Sequence, residues 1–123
     1  MSTAPPSSPS RGISRPASLG GVLSVPGDKS ISHRSLILNA IARGDALVQG
    51  LSGGDDVIST MRCLQAMGVS IEPAGTAGSY TVKGRGAHLT EPTDILDAGN
   101  SGTSMRLLSG IMASQSSVSV ITG

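Results

Sequence analysis

Apolar residues recur along this 123-residue chain with two periods, and the changes between them predict its helices and strands. A short apolar run over residues 21–25 ends at a Pro-Gly pair, which is typical of a strand followed by a turn. Ser30 is then expected to cap a helix over residues 31–43. The predicted buried side of that helix holds four apolar residues: Ile31, Ile37, Leu38 and Ile41.

The pattern continues with a second strand over residues 46–51. A second helix is predicted from about Asp55 to a stop at Gly68, because glycine is the usual residue just past a helix end. Two further strands are expected over residues 69–72 and 79–83. The resulting order is β-α-β-α-β-β, which belongs to the α/β (α+β) class.

A second round of elements follows, and it is incomplete. It comprises a strand over residues 95–98, a helix over 101–113 and a strand around Val118 and Val120. The domain prediction has three parts: a disordered Pro- and Ser-rich tail over 1–18, a first βαβαββ unit over 19–84 and an incomplete second unit over 85–123.

The composition excludes several classes of function. A net charge of +1 and a single aromatic residue, Tyr80, argue against nucleic-acid binding, which needs a basic face or stacking side chains. Cys63 is the only cysteine, and the two histidines lack metal-ligand spacing. No apolar run is long enough to cross a membrane. We therefore expect no metal, no membrane contact and no nucleic-acid partner.

The tail leaves two alternatives open. It contains no acidic residue before Asp28, and Arg11 and Arg15 lie among serines, a pattern shared with organelle transit peptides. The plainer alternative is an unstructured tail that carries no address. We favour the plain tail and expect a cytoplasmic protein, with plastid targeting as the alternative.

The first candidate site is the loop at residues 25–34. Lys29 lies in the predicted turn, Ser30 at the predicted helix start, and Arg34 one turn further on the same face. Backbone N–H groups at a helix start attract anions, and two cations would strengthen that attraction. The alternative is an ordinary solvated helix start. The loop is not a Walker A motif, which needs glycine and lysine adjacent.

The second candidate site, residues 97–106, has a similar design. Asn100 and Thr103 supply short polar side chains, and Arg106 lies one turn into the predicted helix. Gly102 has no Cβ, so its backbone can approach a ligand closely. For this loop alone, a capped helix start whose glycines serve only the tight turn is the slightly favoured interpretation. Two such loops together predict a cleft for a ligand with several negative charges.

Two further features have plain explanations. Asp55 and Asp56 are candidates for paired acid–base carboxylates, but their position before a helical run favours helix capping. His33 is a candidate general base, although its expected place on the helix surface favours a solvated side chain.

The segment LSVPGDKSISHR, residues 23–34, closely resembles the opening signature of the EPSP synthase family. Residues 54–57, 67–69 and 96–108 are similar to later blocks of that family, in the same order. The related UDP-N-acetylglucosamine enolpyruvyltransferases have Lys-Asn at the first block, where this chain has Lys29 followed by Ser30. That difference favours the shikimate enzymes, with the UDP-N-acetylglucosamine relatives as the alternative.

The resemblance implies a two-domain, monomeric enzyme built from six βαβαββ units of the enolpyruvyltransferase fold, of which this chain is a fragment. Such enzymes transfer the carboxyvinyl group of phosphoenolpyruvate to the 5-hydroxyl of shikimate 3-phosphate and release phosphate, without a metal or organic cofactor. The family's acid–base carboxylates come from later segments, so this chain alone is expected to be inactive. A non-catalytic anion-binding module is the alternative from another class.

The resemblance also implies roles for individual residues. Lys29 would contact both substrates and assist proton transfer, which makes it the catalytic residue of this segment. Ser30 and Arg34 would hold shikimate 3-phosphate. The phosphoenolpyruvate pocket would be lined by the backbone of Gly102, with support from Asn100, Thr103 and Arg106.

Overall fold

The computed structural model describes residues 11–123 of the chain. Its three helices are α1 (Lys29–Ile41), α2 (Asp55–Ala66) and α3 (Gly102–Met112). Its five strands are β1 (Arg43–Val48), β2 (Ser70–Pro73), β3 (Tyr80–Arg85), β4 (Leu96–Asp97) and β5 (Ile121–Thr122). This mixture of helices and strands confirms the predicted α/β (α+β) class. Within the described residues, each helix is too short or too polar to span a lipid bilayer.

Strands β1, β3 and β2 form an antiparallel sheet in that order, with β3 in the centre. The register pairs Val82 of β3 with Ala46 on one side and with Ile71 on the other. Val82 and Ile71 are buried, so one face of the sheet carries the core. Strands β4 and β5 form a separate parallel pair, in which Leu96 opposes Ile121.

The core lies where the three helices meet the inner face of the sheet. Leu36 from α1, Leu64 from α2 and Leu108 from α3 are fully buried in one apolar cluster. Cys63 also belongs to this cluster and is buried. Burial raises the pKa of its thiol, and the nearby Asp97 carboxylate adds to the effect.

The predicted strand over residues 21–25 is wrong. These residues form no strand with any other part of the described chain, and Val22, Leu23 and Val25 are exposed. A run of apolar residues becomes a strand only where a neighbouring strand accepts its backbone hydrogen bonds. Residues 1–10 of the predicted tail lie outside the described residues, and residues 11–18 form neither helix nor strand.

The predicted face of α1 is also largely wrong. Ile37 is buried as expected, but Ile31 and Leu38 are 66% and 61% exposed. Their predicted places in the interior are taken by polar residues, among them Ser32 and His33. Apolar residues are spread widely around this helix, so their spacing could not identify the buried side.

Most of the remaining elements lie close to the predicted positions, but β1 (Arg43–Val48) begins three residues before the strand predicted over residues 46–51. Helix α2, helix α3 and the hairpin of β2 and β3 agree within about two residues, the usual uncertainty of element ends. The last strand is an exception, because β5 begins after Val118 and Val120, both of which are exposed. The parallel ladder starts only where the Leu96 N–H donates to the Val120 carbonyl.

Candidate anion site at the helix starts

Helix α1 is capped by Asp28 and not, as predicted, by Ser30. The Asp28 carboxylate accepts a hydrogen bond from the Ile31 N–H at 2.8 Å, so the helix begins at Lys29. Aspartate is a better cap than serine here because its charge also favours the positive end of the helix dipole. Ser30 therefore lies in the first turn of the helix.

Two close contacts fix this helix start against the loop before α2. The Ser32 hydroxyl donates to the Asp28 carbonyl at 2.7 Å and accepts from the Ser52 N–H at 2.9 Å. Gly27 approaches Gly50 so closely that a Cβ atom on Gly27 would overlap the Gly50 carbonyl oxygen. The turn before α1 thus requires glycine at position 27.

The Lys29 ammonium forms an ion pair with the Asp56 carboxylate from the first turn of α2. The side chain of Lys29 is 54% exposed and that of Asp56 is 26% exposed, so solvent and ligands reach the cation. Asp55 and Asp56 lie inside the first turn, and the residue at the cap position is Gly54. The predicted capping role for the two aspartates is therefore wrong, and Asp56 acts on Lys29 instead.

Arg34 lies on the exposed side of α1, close to Ser30. Its Nη1 atom donates to the Ser30 backbone carbonyl at 3.0 Å. The side chains of Lys29, Ser30 and Arg34 are all exposed. The structure thus places two cations and one hydroxyl on the first two turns of one helix.

The second loop is a tight turn between β4 and α3. Gly99 has a φ of +56°, and its N–H donates to the Asp97 carboxylate at 2.7 Å. Helix α3 is capped by Ser101, whose hydroxyl accepts from the Ser104 N–H at 3.1 Å. Only glycine readily adopts the left-handed conformation that turns the chain here.

An open pocket of about 240 Å³ lies against this turn. Asn100 and Gly102 line it, and Thr103 and Arg106 do not. Arg106 is exposed one turn into α3. Lys29, Ser30 and Arg34 do not line this pocket either, so the two predicted loops do not share one cavity within the described residues.

Buried hydrogen bonds connect the two loops instead. Asp56, which pairs with Lys29 through its side chain, accepts through its backbone carbonyl from the Ser104 hydroxyl at 3.2 Å. The Ser104 hydroxyl lies 2.7 Å from that of Ser101, the cap of α3. It also lies 2.6 Å from the Thr60 hydroxyl on α2.

His33 is the innermost member of this network. It is fully buried, and its Nδ1 atom lies 2.8 Å from the Thr60 hydroxyl. Burial lowers the pKa of the imidazole, and the Lys29 charge lowers it further, while Asp56 acts in the opposite direction. The prediction of a solvated His33 is therefore wrong.

Sequence reasoning missed Thr60, Ser104 and the pairing of Asp56 with Lys29, because each contact joins positions far apart in the chain. The only signal was helical spacing on α2, where Asp56 and Thr60 are four residues apart and share one face. Among residues 11–123, no group of three or more His, Cys, Asp or Glu side chains is arranged to hold a metal ion.

A family model for EPSP synthase (3-phosphoshikimate 1-carboxyvinyltransferase) matches residues 13–123. The chain belongs to the EPSP synthase family. It is 53% identical over 111 residues to the 3-phosphoshikimate 1-carboxyvinyltransferase of Citrifermentans bemidjiense, covering 89% of this chain and 25% of that protein. It is 54% identical over 114 residues to the protein of the same name from Parasynechococcus marenigrum, covering 92% and 26%.

A solved EPSP synthase structure from Acinetobacter baumannii superposes with a TM-score of 0.78 at 49% identity. The match covers 84% of this chain and 23% of that protein. The enolpyruvyltransferase fold predicted from the sequence is thereby confirmed. The chain spans about a quarter of the length of the curated EPSP synthases that it matches.

Proposed function

We propose that this chain supplies the first part of the active site of a 3-phosphoshikimate 1-carboxyvinyltransferase. In this proposal residues 19–84, with the observed order α1, β1, α2, β2 and β3, are the first unit, and residues 85–123 are the opening of the second. The observation that carries the proposal is that both helix-start loops fall within the segment matched to the EPSP synthase family. The remainder of the site then comes from segments outside these 123 residues.

The charges of the first loop support its role as the shikimate 3-phosphate site. Lys29 and Arg34 are exposed cations on consecutive turns of α1, and the exposed Ser30 lies in the first turn beside Lys29. Hydrogen bonds in which at least one partner is ionised contribute about 1.5–3 kcal/mol each, so three such bonds hold a phosphate or carboxylate in a fixed orientation.

The second loop suits phosphoenolpyruvate for a different reason. Gly102 opens α3 without a side chain, and a Cβ atom built on it would meet no atom within 4 Å. Its backbone therefore borders open space in the pocket that Asn100 also lines. Thr103 and Arg106 lie outside the pocket, where Thr103 supports the conformation of the loop and Arg106 adds positive potential.

The proposed reaction joins two anions. The enol methylene of phosphoenolpyruvate takes up a proton, the 5-hydroxyl of shikimate 3-phosphate adds to the neighbouring carbon, and phosphate then leaves with loss of a methyl proton. In this proposal Lys29 contacts both substrates and offsets their repulsion. Cations fixed in advance stabilise the transition state because they do not reorganise during the reaction.

A chimeric enzyme tests this proposal. Residues 13–123 replace the matching segment of the Acinetobacter baumannii EPSP synthase, and phosphate release is measured with both substrates. We expect turnover in the chimera and a loss of about 10²–10³-fold in Lys29→Ala, the usual effect of removing a transition-state donor. Lys83→Ala, an exposed lysine on β3, is the matched control and keeps full turnover.

Two results would overturn the assignment. One is a folded chimera without turnover, and the other is a Lys29→Ala chimera as active as Lys83→Ala. The 123-residue chain by itself is expected to release no phosphate, since the proposed site is completed elsewhere. Anion binding without turnover in the chimera would favour the non-catalytic binding module.

A further inference from the structure

The buried hydroxyl network has a feature that packing alone does not explain. Thr60 and Ser104 are completely buried, and their hydroxyls are hydrogen-bonded to each other at 2.6 Å. His33 is equally buried, and its Nε2 atom has no hydrogen-bond partner among the described residues. A buried polar atom without a partner costs free energy, so an apolar residue at position 33 would favour folding more.

Counting protons gives the order of donors in the network. The Ser104 hydroxyl donates towards two acceptors, the Asp56 carbonyl and the Ser101 hydroxyl, which share its one proton. The Thr60 hydroxyl then donates to Ser104, and the Thr60 oxygen accepts from His33 Nδ1. Among the buried side-chain nitrogen and oxygen atoms of the described residues, only His33 Nε2 remains without a partner.

This chain of hydrogen bonds joins the starts of all three helices. His33 lies one turn beyond Lys29 on α1, Asp56 lies in the first turn of α2, and Ser101 caps α3 directly before Gly102. Its members have fixed donor and acceptor directions, whereas apolar contacts between helices tolerate sliding.

We propose that His33, Thr60 and Ser104 are positioning residues that hold the Lys29 loop and the Gly102 loop at one fixed separation. The inference rests on the proposed function, because it explains how two substrates bound at separate helix starts keep their reacting atoms aligned. Alignment matters because a displacement of about 1 Å can cost about 100-fold in rate.

The first experiment tests whether the hydrogen bonds of the network stabilise the fold cooperatively, as one unit. It requires no substrate. Urea unfolding of the 123-residue chain is measured for Thr60→Val, Ser104→Ala and the double variant. We expect the double variant to lose less stability than the two single variants together, with a coupling of about threefold or more in the unfolding equilibrium constant. The control pair is Thr81→Val with Ser104→Ala, because Thr81 lies on β3 away from the network. Additive effects in the first pair would refute the single unit.

The second experiment measures positioning in the chimeric enzyme. In Thr60→Val the Lys29 loop keeps all its own residues, so shikimate 3-phosphate binds within about twofold of the parent. The KM for phosphoenolpyruvate rises and kcat/KM falls about tenfold or more, because the Gly102 loop is displaced relative to the first substrate. Thr60→Ser restores the hydroxyl and recovers most of the loss.

The outcomes separate the two proposals. A purely structural role would lower kcat through loss of folded enzyme and leave both KM values unchanged, which would overturn positioning. Failure of Thr60→Ser to recover activity would overturn it too. If the parent chimera is folded and inactive, the proposed function fails, and positioning of substrates fails with it; the unfolding experiment still decides whether the network is one unit.

Discussion

The Lys29–Asp56 ion pair makes a quantitative prediction about anion binding. An anion that approaches Lys29 must compete with the Asp56 carboxylate, so Asp56→Asn should tighten binding of shikimate 3-phosphate to the 123-residue chain. The side chain of Lys29 is 54% exposed, so the pair is screened by solvent. Exposed pairs contribute about 0.2–1 kcal/mol, which corresponds to a gain in affinity of about 1.4- to 5-fold.

Asp55→Asn is the matched control for this measurement. It removes the same charge from the same helix turn, so the net charge and the interaction with the α2 dipole change equally. The assay is an NMR titration at low salt, following the Ser30 amide. The ratio of the two dissociation constants isolates the ion pair, and it should shrink when salt shortens the Debye length to about 3 Å at 1 M. Equal affinities for the two variants, or weaker binding in Asp56→Asn, would refute the competition.

Three further predictions concern stability and the pocket. The pKa of His33 is lowered in the folded chain, so below a pH of about 6.5 the unfolded chain binds a proton that the folded chain does not. The free energy of unfolding therefore falls on acidification, by up to about 1.4 kcal/mol per pH unit. Urea unfolding between pH 7.5 and 5.5 should show this slope, and His33→Asn should flatten it; equal slopes would contradict the assignment. Gly84→Ala should lower the free energy of unfolding by about 1–3 kcal/mol or more, because the new Cβ would lie 2.6 Å from the Asn39 carbonyl oxygen and overlap the Ala42 carbonyl oxygen. Gly110→Ala is the control, since a Cβ there meets only open space. Gly102→Ala should leave the melting temperature of the chimera unchanged, because the added Cβ meets no protein atom within 4 Å, and it should raise the KM for phosphoenolpyruvate. A lowered melting temperature with an unchanged KM would instead give this glycine a structural role.

The sequence was sufficient to predict those elements in which the regularly spaced apolar residues are also the buried ones. Val57 and Leu64 lie at helical spacing on α2 and both are buried, so the pattern located that helix and its inner face. Helix α1 defeated the same reasoning because Ile31 and Leu38 are apolar and exposed. When apolar residues are spread widely around a helix, their spacing does not show which side is buried. The buried side then depends on the segments that pack against the helix.

The candidate site was predictable only as far as its parts are local. Glycines, caps and cations at a helix start are neighbours in sequence, so the sequence alone was enough to identify both loops. The contacts that relate the loops to each other join His33 to Thr60 and Thr60 to Ser104, across 27 and 44 positions. Contacts across such separations follow no helical or strand periodicity, so a single sequence does not reveal them. Before the helices are packed together, the threonine and serine hydroxyls resemble those of ordinary helix-surface residues.

The proposed anion sites at the two helix starts differ in their physical basis, because the two helices have different caps. At α1 the Asp28 carboxylate already satisfies the Ile31 N–H and offsets the positive helix end, so attraction there depends on side-chain cations such as Lys29. At α3 the cap is the neutral Ser101, and the positive helix end is not offset by a charged cap. Gly102 adds no side chain between that helix end and a ligand. The proposed function therefore has the two anions held differently, one by charges on long mobile side chains and the other by backbone dipoles that are fixed in the helix. The proposed positioning role gives the network a purpose here, since the network sets the direction of the α3 dipole relative to Lys29 before a substrate binds.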